Sequence, residues 1–135
     1  MPKANIDPCY SSIISAFPDL HFRSGRKFAY HPPKTVVVGP PEPHSELLLL
    51  HEVSHAILHH STYQTDVERL RIESEAWDKA RTLASSLNIP FLDDFAEENL
   101  DSYRNWLHSR SLCKSCGITR YQTPDGRYHC PKCSH

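Results

Sequence analysis

The sequence predicts an α+β fold, with a small sheet and several helices followed by a short cysteine-rich module. A β-branched run at residues 34–38, bounded by proline and glycine, predicts a strand. Three later stretches, 45–60, 65–87 and 92–108, show helix start signals or apolar residues at helical spacing. Four of the five cysteines form two CxxC pairs near the end of the chain. The 135 residues suffice for one domain with a modest hydrophobic core and one small additional module.

The N-terminal region predicts one short helix and the first strands. Asp7 followed by Pro8 is typical of an N-cap with proline in the first turn, and the helix is expected to end near Ala16. Residues 21–30 have aromatic and apolar side chains on both sides of a Ser-Gly turn, so we predict strands that join the 34–38 run in one sheet. Cys9 is expected to be a small buried apolar residue.

The three main helices have recognisable ends. Ser45 is the predicted N-cap of a helix that runs to about His60 and is apolar on most sides, so this helix should be buried. Thr65 and Glu68 form a capping box that opens a long helix ending near Leu87. The last helix places apolar side chains on one side and acids mostly on the other.

The overall charge gives no indication of a nucleic-acid or membrane partner. The formal net charge is −1 and the pI is about 6.8, so the chain as a whole favours neither nucleic acid nor a membrane surface. The first residues lack the pattern of a secretion signal, and the longest apolar run, 47–50, is too short to span a bilayer. We therefore expect a soluble protein of the cytoplasm.

The buried helix contains the motif His51-Glu52-Val53-Ser54-His55, which fits HExxH. Four residues make slightly more than one helical turn, so His51 and His55 share one face and can bind one metal ion. Glu52 lies about 100° around the helix, where it can act on a water bound to the metal without being a ligand. The motif predicts a catalytic zinc ion with Glu52 as the acid and base.

Catalytic zinc usually has three protein ligands, so one more is required. His59 and His60 are close in sequence, but His59 lies too far along the helix axis to complete the shell easily. The next helix has a stripe at spacings of three and four, formed by Leu70, Glu73, Trp77, Ala80, Ala84 and Leu87. Glu73 is the one charged member of this stripe, and a carboxylate facing a core needs a partner or a metal. We predict Glu73 as the third ligand, with Glu75, on the solvent side, as the alternative.

These residues resemble the ImmA/IrrE group of zinc metallopeptidases, within the gluzincin class. That group pairs an HExxH helix, often ending in Leu-His or His-His, with a downstream ExxA pattern, matched here by Glu73 to Ala76. The resemblance covers about residues 20–90 and implies a minimal zincin-like domain, with His51, His55 and Glu73 as ligands and Glu52 as the catalytic residue. It also implies a specific protein substrate, such as a repressor or other regulator. Trp77 departs from the Asn or Asp common in relatives.

The C-terminal module predicts a second zinc site of another kind. Cys113 and Cys116 form one knuckle and Cys130 and Cys133 the other, the pattern of a zinc ribbon with four cysteine ligands. Four thiolates complete the metal shell, so this zinc ion should be structural.

We predict two domains, the metallopeptidase domain at 1–110 and the ribbon at 111–135. The ribbon has a formal charge of plus 3, which falls to about plus 1 with four thiolates and one Zn²⁺. A protein-docking or structural role of the ribbon is therefore favoured slightly over the binding of nucleic acid.

Together these patterns predict a zinc endopeptidase with one catalytic and one structural zinc ion, and the resemblance implies that it cleaves a specific intracellular protein. Tyr63, Tyr30 and His31 are candidate donors to the oxyanion. One alternative is a DNA-associated protease resembling SprT and Spartan, which would take its third ligand from histidine, with His108 as the internal candidate. Others are a non-catalytic module that binds a protein or DNA partner, and a zinc hydrolase acting on a non-peptide amide.

Overall fold

The computed structural model of the chain describes residues 6–133. It confirms the predicted mixture of helices and small sheets. The chain divides into two compact units, one with residues up to Ser61 together with Glu75–Leu92, the other with Thr62–Ser74 and the residues from Asp93 onward. The predicted domain boundary at residue 110 stays a prediction. Within the described range, every helix is too short or too polar to cross a bilayer.

The first unit contains a three-stranded sheet. Its strands are β1 (His21–Ser24), β2 (Ala29–His31) and β3 (Thr35–Val38). β3 lies in the centre, parallel to β1 and antiparallel to β2. The valines of β3 are buried, and the central position gives this most apolar strand neighbours on both edges. The prediction that these segments form one small sheet is confirmed.

Within residues 6–133, the structure has four α-helices: α1 (Ser11–Ala16), α2 (Ser45–Ile57), α3 (Asp66–Ser86) and α4 (Asp93–Ser111). A 3₁₀ turn precedes α1, and the Asp7 side chain caps it by accepting a 2.8 Å hydrogen bond from the Cys9 N–H. Cys9 itself is exposed, so the predicted burial is wrong. Tyr10 and Ile13 occupy the buried positions of this segment instead.

α2 is the buried helix of the first unit and lies against β2 and β3. Ser45 is its first helical residue and not its N-cap, which is His44 in a left-handed conformation with φ 65°. The Ser45 hydroxyl has another role, because it accepts hydrogen bonds from the Tyr10 hydroxyl at 2.8 Å and from the Glu42 N–H at 3.2 Å. These bonds tie the start of α2 to the N-terminal segment.

α2 ends at Ile57, one turn earlier than the predicted His60. His59 adopts a left-handed conformation with φ 56°. Its N–H donates to the Ala56 carbonyl, and the His60 N–H donates back to the His55 carbonyl at 3.0 Å. This pair of bonds is a Schellman motif, which turns the chain back over the last helical turn. His60 is thereby brought next to His55.

The second unit begins with the predicted capping box of α3. The Thr65 N–H donates to the Glu68 carboxylate at 2.9 Å, and the Glu68 N–H donates to the Thr65 hydroxyl at 3.3 Å. α3 then continues without a break to Ser86, as predicted. Its later part supplies core residues of the first unit, namely Ala76, Trp77, Ala80 and Ala84.

The end of the second unit is a small hairpin. Strands β4 (Tyr121–Gln122) and β5 (Tyr128–His129) pair antiparallel. Gly126 lies in the turn between them with φ 90°, a conformation that disfavours any side chain. The Gly126 N–H donates to the Thr123 carbonyl at 2.8 Å, so this turn joins the two strands that lie between the cysteine pairs.

Replacing Thr65 with alanine should lower the free energy of unfolding by about 1 kcal/mol, because it removes one half of the capping box. Thr82→Ala is the matched control, since Thr82 is an exposed residue in the interior of the same helix. The control should be neutral or slightly stabilising. Chemical denaturation measures both, and equal effects of the two variants would contradict the capping role.

Candidate metal centres

The first candidate centre begins with two histidines on α2. His51 and His55 are four residues apart, and each is 6% exposed. Their Nε2 atoms lie 3.2 Å apart. Two nitrogen ligands of a tetrahedral zinc ion, each about 2.0–2.1 Å from the metal, would be separated by about 3.3 Å. The two imidazoles therefore have the spacing of zinc ligands.

Glu73 of α3 completes a group of three. One carboxylate oxygen and one ring nitrogen of each histidine lie within 4.8 Å of one another. We call His51, His55 and Glu73 the histidine site. Two imidazoles and one carboxylate are a donor set that suits zinc, so the residues present fit this ion.

The other two acidic candidates are placed differently. Glu52 is half-buried on α2 and is not a member of the metal-ligand group. Glu75 points its Oε1 atom at Nε2 of His60, 3.0 Å away, and its side chain is 44% exposed. Of the two carboxylates weighed for the third position, Glu73 belongs to the histidine site and Glu75 does not.

Aromatic rings border both histidines. The buried Trp77 ring stacks on His51, with centroids 4.3 Å apart and an interplanar angle of 26°. The Tyr30 ring is nearly parallel to His55 at a centroid distance of 6.0 Å. Packing of this kind limits the orientations that an imidazole can adopt. Trp77, which departs from the residue expected on resemblance, thus supports His51 by stacking.

The contact between His60 and His55 is the feature of this site that was not predicted from the sequence. Its Nδ1 atom is 2.9 Å from Nδ1 of His55, and its side chain is 11% exposed. On a continued helix His60 would lie about 140° around the axis from His55, so helical periodicity could not have placed the two together. The contact depends on the left-handed conformation of His59, which is uncommon for residues other than glycine.

The three candidates for an oxyanion donor differ in position. The Tyr30 hydroxyl donates to the Pro33 carbonyl at 3.3 Å, and its ring is the one beside His55. His31 is exposed at the end of β2. Tyr63 is 43% exposed in the second unit and has the Arg69 guanidinium over its ring at 5.6 Å. The proximity to His55 favours Tyr30 among them.

The second candidate centre is the cysteine cluster, formed by Cys113, Cys116, Cys130 and Cys133. The Sγ atoms of Cys113 and Cys133 are 4.0 Å apart, and those of Cys116 and Cys130 are 3.6 Å apart. Four thiolates around zinc at about 2.3 Å would be separated by about 3.8 Å. These separations are too long for disulfides, whose S–S bond is about 2.05 Å. The cluster fits a tetrahedral metal ion.

Backbone N–H groups in each knuckle favour the thiolate form of its first cysteine. N–H groups of Cys116 and Ser115 lower the pKa of the Cys113 thiol to about 6. In the second knuckle, the N–H of Cys133 bonds to Cys130 Sγ at 3.2 Å and lowers the pKa of Cys130. Since the thiolate is the form that binds metal, the first cysteine of each knuckle is the more readily available ligand.

The ribbon is attached to the start of α3 through Asp66. The Asp66 carboxylate, 7% exposed, accepts hydrogen bonds from Arg110 Nε at 2.7 Å and from the Tyr128 hydroxyl. Its backbone N–H donates to the Gln122 side chain at 2.7 Å. Burial opposes ionisation of Asp66, but the bonds from Arg110 and Tyr128 outweigh it and lower the pKa of the carboxyl. The hairpin therefore holds the first turn of α3 within the second unit.

In comparisons with known proteins, no family model, curated protein or solved structure matches this chain.

Replacing Cys116 with alanine should lower the zinc content from two ions per chain to one, because three thiolates hold structural zinc poorly. Cys9→Ala is the matched control, since Cys9 is exposed and lies outside the cluster. Elemental analysis of dialysed protein measures the content. Two zinc ions in the Cys116 variant, or one in the control, would contradict the assignment.

Replacing Asp66 with asparagine should lower the free energy of unfolding of the zinc-loaded protein by about 1–3 kcal/mol, because buried hydrogen bonds to a charged acceptor are lost. Asp78→Asn on the same helix is the control. Its side chain is 78% exposed and pairs with Arg81, so its effect should stay within about 0.5 kcal/mol. Equal midpoints in urea denaturation at neutral pH would rule out the attachment through Asp66.

Proposed function

We propose that this chain is a cytoplasmic zinc endopeptidase that cleaves a specific protein partner. The observation that carries the proposal is the histidine site, with the two Nε2 atoms 3.2 Å apart and the Glu73 carboxylate within 4.8 Å. This ligand set agrees with the resemblance to ImmA/IrrE metallopeptidases, in which the third ligand is a glutamate after HExxH. The phase of the apolar stripe on α3 and the grouping of possible ligand atoms in space both select Glu73.

Glu52 is the proposed acid and base. Zinc bound in the histidine site would supply a Lewis acid for the scissile carbonyl and lower the pKa of the attacking water. Glu52 follows His51 directly, and its carboxylate accepts the proton of this water and passes it to the leaving amine nitrogen. Its half-buried position on α2 leaves it accessible to water.

The exposed edge of the three-stranded sheet favours a peptide as the substrate. β2 is an edge strand, paired with β3 along one side. An edge strand can pair with an extended peptide through main-chain hydrogen bonds. Tyr30, in the middle of β2, has its ring beside His55. A peptide paired with β2 would therefore pass close to the histidine site, which favours peptide hydrolysis over attack on a small amide.

Glu73 also favours a gluzincin-type site over the alternative that resembles SprT and Spartan. The third ligand of that alternative would be a histidine, for which His108 was the internal candidate. His108 is exposed in the last turn of α4, and the metal-ligand groups within residues 6–133 do not include it.

For the ribbon we propose a structural role. Its hairpin residues Gln122 and Tyr128 are engaged by Asp66 at the start of α3. Through these contacts the module that contains the cysteine cluster stabilises the start of α3 within the second unit. They support this role over the docking of a separate protein or nucleic acid.

The Glu52→Gln variant should keep both zinc ions and lose proteolysis by about 10²–10⁴-fold, because the amide cannot accept the proton. Wild-type protein and variant are incubated with a library of intact proteins, with and without a chelator. New amino termini are identified by mass spectrometry. Glu46→Gln is the control, since Glu46 is exposed in the first turn of the same helix and should leave cleavage unchanged.

Two results would count against the proposal. The same new termini at wild-type rate in the Glu52 variant would remove Glu52 from catalysis. Complete absence of chelator-sensitive termini with zinc-loaded wild-type protein would favour the non-catalytic scaffold.

A further inference from the structure

His55 makes a close contact through each of its two ring nitrogens. Nε2 faces His51 in the histidine site at 3.2 Å, and Nδ1 faces Nδ1 of His60 at 2.9 Å. The second nitrogen of His60, Nε2, lies 3.0 Å from Oε1 of Glu75. All three residues belong to the first unit. They form a continuous chain from the metal-ligand position to a partly exposed carboxylate.

We propose that His60 and Glu75 are positioning residues, which fix the orientation and tautomer of His55 as a metal ligand. We call this chain of two hydrogen bonds the relay. The inference rests on the metal site of the proposed function, but it does not depend on peptide hydrolysis.

The direction of both hydrogen bonds follows from metal binding at Nε2 of His55. A neutral imidazole that binds metal through Nε2 carries its proton on Nδ1. That Nδ1–H donates to Nδ1 of His60, which must then be the acceptor. His60 consequently carries its own proton on Nε2 and donates it to the Glu75 carboxylate, so each group in the relay is satisfied. Second-shell partners of this kind strengthen and orient a ligand histidine.

The distances favour a direct hydrogen bond over a shared metal between the two Nδ1 atoms. Their separation of 2.9 Å is shorter than the value of about 3.3 Å for two nitrogen ligands of one zinc ion. It matches an ordinary hydrogen bond between nitrogen atoms. The His60 side chain is 11% exposed, so its polar atoms need partners within the protein.

Local backbone geometry explains how the relay is built. The Schellman motif at the end of α2 returns His60 to His55. Glu75 follows Glu73 by two residues and therefore lies about 200° around α3, where its carboxylate contacts His60 and is not part of the metal-ligand group. A hydrogen-bonding residue in place of Trp77 would have supported a ligand histidine. In this chain His60 and Glu75 provide that support.

The first test is direct observation of the tautomers in wild-type protein loaded with zinc. Long-range ¹⁵N–¹H correlation spectra of histidine-labelled protein distinguish a proton on Nδ1 from one on Nε2. The relay predicts the Nδ1–H form for His55 and the Nε2–H form for His60. A proton on Nδ1 of His60 would overturn it, because that atom could then not accept from His55.

The second test measures zinc affinity at the histidine site by competition with a chelating dye. His60→Phe keeps an aromatic ring but removes the acceptor, and should weaken binding about 10–100-fold. Glu75→Gln keeps an acceptor oxygen and should lose less than Glu75→Leu. His59→Asn is the matched control, since His59 is exposed and asparagine tolerates its left-handed conformation.

Zinc retained by the cysteine cluster shows that each variant remains folded in the second unit, and circular dichroism checks the helices. Cobalt substitution adds a spectroscopic readout, because a reoriented His55 changes the absorption of cobalt in the histidine site. Wild-type zinc affinity in both His60→Phe and Glu75→Leu would overturn the relay and leave the proposed function intact. Complete absence of chelator-sensitive cleavage by the zinc-loaded wild-type protein would instead remove the proposed function and leave the relay intact.

Discussion

The arrangement of residues around α2 depends on one constraint. The nitrogen atoms of buried imidazole rings need a hydrogen-bond partner or a metal ion. This helix is surrounded by apolar residues, and an unsatisfied polar ring in such a setting costs free energy. His51 and His55 are nearly inaccessible to water, so their nitrogens must be satisfied by metal or by protein. His60 and Glu73 place polar atoms beside these two imidazoles, and the Trp77 ring stacks on His51.

Local rules predicted much of this arrangement. The capping box at Thr65 involves residues three positions apart, so the sequence determines it almost alone. The spacing of His51 and His55 follows from the helical period, as does the choice of Glu73 over Glu75. The cysteine pairs are similarly local, since each knuckle needs only four residues.

Features that depend on tertiary context were missed. Ser45 was expected to cap α2, but its hydroxyl binds Tyr10, which is 35 residues away in the chain. The early end of α2 requires His59 in a left-handed conformation that sequence pattern does not favour. Cys9 was expected to be buried because of its residue type alone. It is exposed, and the nearby Tyr10 and Ile13 lie in the core. In each case a distant contact or a backbone choice outweighed local preference.

The continuity of α3 has a consequence for the histidine site. This one helix carries Glu73, Glu75 and Trp77 within little more than a single turn. A slip of the helix by one residue would rotate all three side chains by about 100° and shift them by about 1.5 Å. Ligand, relay carboxylate and stacking ring would then be lost together. Metal binding is therefore a sensitive reporter of the axial register of α3, and insertion or deletion of one residue before Glu73 would be far more damaging than most substitutions.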